Sequence, residues 1–209
     1  MTTSPLQNKP QRPILIVVAG PNGSGKTSLA SELKLHNWVK NCVSINPDEI
    51  AQNEFGDWNS PSAVKKAIVK SQLLREECLC EKKNFMFESV FSAPDKLEFL
   101  KKASQDGYFI RFFLISTSDP TINAVRVTQR VMEGGHDVPN SKIISRFKKS
   151  LLNSAVALTF VDRGYVYDNS LHNQPFHLLF RTVEGHVHRT YTPPFEWPQW
   201  VGPVTSALR

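Results

Sequence analysis

The sequence predicts an α/β fold in three layers, with a mostly parallel sheet and helices on both faces. Three observations predict it. Apolar, β-branched runs at residues 14–19, 42–45, 85–87 and 108–116 read as buried strands. Between them apolar residues recur at helical spacing, so each strand leads into a helical crossover, and crossovers of that kind join parallel neighbours. Between the first strand and the first helix stands Gly20-Pro21-Asn22-Gly23-Ser24-Gly25-Lys26-Thr27. It fits the phosphate-loop pattern G-x-x-x-x-G-K-[ST] in the strand–turn–helix setting that pattern needs. The fold expected is therefore that of a three-layer P-loop NTPase.

In chain order, residues 1–12 are polar and read as a flexible tail. A single domain is expected over 13–191. Leu29, Ala30 and Leu33 mark the helix that follows the loop. The second strand ends at Asn46-Pro47-Asp48-Glu49, where proline stops it and carboxylates follow. Residues 54–61 read as loop, and Ser60-Pro61 opens a long helix to about Lys82. The third strand ends in Glu88-Ser89, and a helix from Ala93 or Pro94 runs to about Gln105. Gly107 stands at its C-cap position. A strand follows over 108–116, then helices over 121–132 and from Ser141 to about Phe160. Residues 164–167 and 176–182 read as short strands, with Gly185 as a turn residue. Residues 192–209 are expected to be an irregular tail, its Trp197 and Trp200 covering an edge or the core.

The loop chemistry follows from its residue types. Gly20, Gly23 and Gly25 admit backbone conformations closed to other residues and let a phosphate approach the amides. Those amides and the helix N-terminus make an anion site, shaped by Pro21, Asn22, Ser24 and Ser28 as well. Lys26 would reach the β- and γ-phosphates, and the Thr27 hydroxyl would hold Mg²⁺. Asp48 lies just past a strand end, where ligands of open α/β sheets bind. There it could take a proton from an acceptor hydroxyl or simply be an acid at a helix N-terminus. Glu88, at the end of the third strand, could position Mg²⁺ or its water, hydrogen-bond a substrate, or face solvent. Arg126 and Arg130 share a helix face, a Gly134-Gly135 hinge follows, and Arg146 lies beyond. Arginines on a mobile segment can neutralise a transferred phosphoryl group, so residues 126–146 read as a lid. The other reading is a solvated basic face, since Lys142, Lys148 and Lys149 are near. His136 reads as a structural loop histidine.

Bulk properties exclude several classes. The chain has 209 residues, a formal charge of +6, 40% hydrophobic residues and three cysteines. Cys42, Cys78 and Cys80 have neither a disulfide framework nor a C-x-x-C spacing, so structural thiols are expected. No signal-peptide core and no run near the ~20 apolar residues of a membrane span is present. A cytoplasmic protein without membrane contact is expected. The positive charge suits an anionic substrate.

The ordered set is the phosphate loop, then Ile45-Asn46-Pro47-Asp48-Glu49-Ile50, then Phe87-Glu88-Ser89-Val90-Phe91-Ser92. Last comes Arg126-x-x-x-Arg130-Val131-x-Glu133-Gly134-Gly135-His136-x-Val138-Pro139, with Arg146 beyond. This set resembles the zeta-toxin-like small P-loop kinases, whose short bacterial members are often labelled predicted ABC-type ATPases. No ABC signature is visible, so a transport ATPase is not supported. The resemblance implies that ATP or GTP, with Mg²⁺, phosphorylates a hydroxyl, which in zeta toxins belongs to UDP-N-acetylglucosamine. It implies Lys26 and Thr27 on phosphate and Mg²⁺, Asp48 as base, Glu88 on the substrate, and lid arginines on the transferred phosphate. It also implies an antitoxin protein as partner. After the acid the founding toxins have a Gly-Thr-Gly-Arg type sequence, where this chain has Ser89-Val90-Phe91-Ser92. The function expected is transfer of a γ-phosphate to a small anionic acceptor. The alternatives are an NTP-hydrolysing switch and a nucleoside or polynucleotide kinase; nucleic acid is not the expected partner.

Overall fold

The computed structural model describes residues 12–56, 59–135, 137–172 and 174–209. The expected tail over residues 1–11 and His136 lie outside the described residues. Arg12 does not hang free: it pairs with Asp162 and donates to the carbonyls of Gly107 and Tyr108. One seven-stranded sheet has the order β2-β3-β1-β4-β5-β6-β7. The strands are β1 Ile14–Ala19, β2 Val43–Ile45, β3 Phe85–Ser89, β4 Phe109–Ser116, β5 Arg163–Asp168, β6 His177–Val183 and β7 His186–Thr190. The first five run parallel. The last two are antiparallel additions at one edge.

The helices are α1 Lys26–Lys34, α2 Pro47–Phe55, α3 Pro61–Cys80, α4 Pro94–Gln105, α5 Pro120–Met132, α6 Asn140–Leu158 and α7 Val201–Thr205. Strand β1 explains the layering. Leu15 to Ala19 are each 0% exposed, as a continuous apolar run in a doubly covered parallel strand should be. Leu15 and Val17 face a core that includes Ala67 of α3, Leu100 of α4, Ala155 of α6 and Val204 of α7. Ile16 and Val18 face the opposite core, with Leu29 and Leu33 of α1, Phe113 and Tyr165. Val127, Val138 and Ile143 form a third, small cluster between α5 and α6. Helix α6 therefore starts in one cluster and ends, through Leu151 and Leu158, in the main core.

Three elements were not expected. Helix α2 occupies much of the stretch after β2. Asn46 caps it by accepting from the Asp48 amide at 3.0 Å, and Pro47 takes the first turn. Only Ile50 and Ala51 are buried in it, so its apolar signal is weak. Strand β7 is exposed along its whole length. It forms because Glu184 and Gly185, with φ of 50° and 83°, make a two-residue turn of the I′ type. Residues 192–209 are corrected from an irregular tail. They hold a short 3₁₀ turn over Pro194–Glu196 and then α7. Trp197 packs on Phe180 with ring centroids 4.8 Å apart, and Trp200, Val201 and Val204 enter the core. Apolar burial holds this segment down.

Candidate active site

The C-terminal ends of the five parallel strands share one edge of the sheet, where ligands of such sheets bind. The phosphate loop leaves β1 there. No side chain caps α1, and its cap residue Gly25 is left-handed at φ 101°, so the first helical amides are open to an anion. Two contacts fix the glycines. A Cβ on Gly23 would lie 2.5 Å from the Asn123 carbonyl oxygen, and one on Gly25 would lie 2.5 Å from Asn169 Nδ2. The Gly20 amide donates to the Ser89 carbonyl at 3.3 Å and ties the loop to β3. Ser24 is fully buried, and its Oγ has no hydrogen-bond partner among the described residues.

Lys26 Nζ donates to the Pro21 carbonyl at 2.7 Å. Desolvation of its ammonium lowers its pKa to about 8, against the opposing pull of Glu88 and then Asp48, while Arg130 pushes the same way as desolvation. These three side chains, from three elements, all act on the charge of the loop lysine. Glu88 sits in β3 opposite Val18 of β1. Its Oε2 accepts from Thr27 Oγ1 at 2.9 Å and its Oε1 accepts from Asn46 Nδ2 at 3.2 Å. Burial raises the Glu88 pKa, while the Thr27 hydrogen bond and the Lys26 charge oppose the rise. Asp48 is exposed at the start of α2. A hydroxyl and a carboxylate held together are hard oxygen donors, which suit Mg²⁺. Among the described residues, no group of three or more His, Cys, Asp or Glu could hold a metal, so Mg²⁺ there would share its shell with phosphate oxygens.

A cavity of about 370 Å³ opens on the other side of the loop. Gly23, Lys26, Thr27 and Ser28 form one wall, Arg126 and Arg130 another, and Asn169, Leu171, His172 and Gln174 a third. Arg126 lines the cavity, and its two terminal nitrogens donate to the Asn169 and Leu171 carbonyls at 2.8 and 3.2 Å. Arg130 reaches Lys26 electrostatically. Arg146 is half-buried on α6 and is not among the residues that line the cavity. The segment after Glu88 turns inward. Phe91, at φ 59°, is 1% exposed, and its ring meets Phe112 edge-on at 5.2 Å.

Sequence reasoning did not assign Asn46, Asn123 or Asn169 to the site. Asn46 carried a signal, an N-cap asparagine before proline. Asn123 Nδ2 donates to the Asn22 carbonyl at 2.6 Å across 101 residues, and Asn169 Nδ2 to the Ser24 carbonyl at 2.9 Å across 145. Separations of that size leave no local pattern.

A family model described as Zeta toxin matches residues 1–173. An uncharacterized protein of Haemophilus influenzae is 28% identical over 142 residues, which are 68% of this chain and 94% of that protein. Among solved structures, the AvrRxo1-ORF1:AvrRxo1-ORF2 complex with sulphate ions is similar at a TM-score of 0.64 and 17% identity, covering 89% of this chain and 63% of that one. This chain thus spans less than two thirds of the AvrRxo1 chain. The PezAT toxin–antitoxin system of Streptococcus pneumoniae follows at 0.54 and 18%, covering 78% and 72%. A putative kinase of Chloroflexus aurantiacus follows at 0.51 and 17%, covering 67% and 80%. At these identities the structures share the fold. The family match takes in the loop, both acids and the whole lid stretch; by it the chain belongs to the Zeta toxin family, and it is a P-loop kinase.

Proposed function

We propose that the protein moves the γ-phosphate of ATP or GTP to a hydroxyl of a small anionic acceptor. The observation that carries this is the Glu88 carboxylate bonded to Thr27 of the loop and to Asn46, which caps the helix whose first turn presents Asp48. A nucleotide cradle alone needs no exposed carboxylate beside its lysine. On this reading the open amides of α1 and Lys26 bind the phosphates, and Thr27 with Glu88 would hold Mg²⁺. Bound there, Mg²⁺ supplies neutralisation of phosphate charge. The Glu88–Thr27 hydrogen bond favours the metal side for Glu88 over direct contact with the acceptor. Asp48, at the strand end facing the acceptor, takes the hydroxyl proton as the phosphoryl group arrives. Arg130 stabilises charge spread over the equatorial oxygens, and Arg146 comes from α6 to the same group or to the acceptor.

An amino-sugar nucleotide such as UDP-N-acetylglucosamine is the acceptor class the family suggests. Phe91 is folded into the core where zeta toxins place an arginine-bearing turn, so this chain must meet acceptor charge with its lid arginines. The toxin–antitoxin complexes among its structural relatives support a protein partner that restrains it. A solved structure of AvrRxo1-ORF1:-ORF2 with ATP supports ATP as donor. The test is incubation with γ-labelled ATP, Mg²⁺ and a metabolite extract, followed by identification of the labelled product. A labelled small molecule is expected. Release of free phosphate alone would instead mean a hydrolytic switch.

A further inference from the structure

The last segment of the chain, beyond the family match, reaches back to the nucleotide side of the site. Trp200 is 6% exposed, and its Nε1 donates to Asp168 Oδ1 at 2.9 Å. Asp168 closes β5 and is itself 9% exposed. Ser170 donates to it twice, by Oγ to Oδ1 at 2.7 Å and by its amide to Oδ2 at 3.1 Å. Ser170 Oγ in turn accepts from the Ser118 amide at 2.8 Å. The residue between them, Asn169, is thereby fixed on both flanks. Its amide donates to the Ser116 carbonyl at 2.8 Å, its carbonyl accepts from Arg126, and its Nδ2 donates to the Ser24 carbonyl at 2.9 Å.

That last bond bears on the cradle. The Ser24 carbonyl and the Gly25 N–H belong to one planar trans peptide and point in opposite directions. Holding the carbonyl aims the N–H. We propose that Trp200 is a positioning residue of the nucleotide site, acting through Asp168 and Asn169 to set the Ser24–Gly25 peptide in the orientation that presents its N–H to a phosphate. The C-terminal extension is then part of the binding machinery and more than a cover for the sheet. This rests on the nucleotide reading given above.

The test is equilibrium titration of the full chain with a fluorescent, non-hydrolysable ATP analogue and Mg²⁺, beside thermal melting of each variant. Trp200→Phe keeps one aromatic ring in the core and removes the N–H, and should weaken binding about fivefold. Asn169→Ala should weaken it about tenfold or more. The double variant should bind no worse than Asn169→Ala, because both act on one chain of contacts. Val204→Ala cuts the same helix's core without touching Asp168. It should lower the melting temperature more than Trp200→Phe does and leave affinity unchanged. If the wild-type protein binds no analogue, the nucleotide reading falls and the brace with it. If it binds and Trp200→Phe is unchanged, or Val204→Ala weakens binding as much, the brace alone is wrong.

Discussion

The phosphate loop and the lid are held in different ways. Asn123, Asn169 and the Ser89 carbonyl pin the loop from three elements, and it grows from a strand buried on both faces. The lid segment has its own small cluster of Val127, Val138 and Ile143, and exposed Met132 lies at the end of α5. A site for phosphate gains from amides that need no reorganisation when charge arrives. A segment that must admit an acceptor and then cover it gains from being weakly held. On the proposed function, the contrast suits preorganised charge in one region and movement in the other.

The sharpest way to break that contrast is at Lys26. Lys26→Ala should lower phosphotransfer by about 10²–10³-fold or more, read as turnover with labelled ATP, since it removes a fixed cation beside the transferred group. Near wild-type turnover would show that the loop is not where the phosphate is transferred. Asp48→Ala comes next, with turnover down about 10²–10³-fold and nucleotide affinity nearly unchanged. Asp48 is exposed and Asn46 caps α2 by its own side chain, so the variant should fold. A wild-type rate would remove Asp48 as base. Arg130→Ala should lower turnover about 10²-fold and affinity much less. If affinity drops as far as turnover, Arg130 belongs to the pinned side of the contrast. The smallest effect is in the lid cluster: Ile143→Val should cost about 0.5–1.5 kcal/mol by denaturant unfolding. A larger loss would mean that the lid is fused to the main core.

Much of this was legible in the sequence. The parallel strands and most helices were, because apolar periodicity in doubly covered elements is strong. The phosphate loop was, because glycine, lysine and threonine sit at fixed offsets within eight residues. What escaped had weak local pattern. Helix α2 buries only two residues, β7 none, and α7 is five residues long. Arg126 was read as a nucleotide contact, and spacing could not show that both guanidinium ends also serve backbone carbonyls. Asn123 and Asn169 lie 101 and 145 residues from their partners in the loop, and only folding brings them there.

The anchoring of α5 has a kinetic consequence. Asn123 and Arg126 tie its first two turns to the nucleotide side, while Arg130 lies one turn further, about 6 Å along the axis. Those bonds hold the root of the helix, so on the lid reading any opening falls from Arg130 onward. An acceptor could then come and go beneath that lifted end while the nucleotide stays clamped behind it. Turnover should accordingly be ordered, with the nucleotide first in and its diphosphate last out. Product-inhibition patterns that fit random release would contradict this.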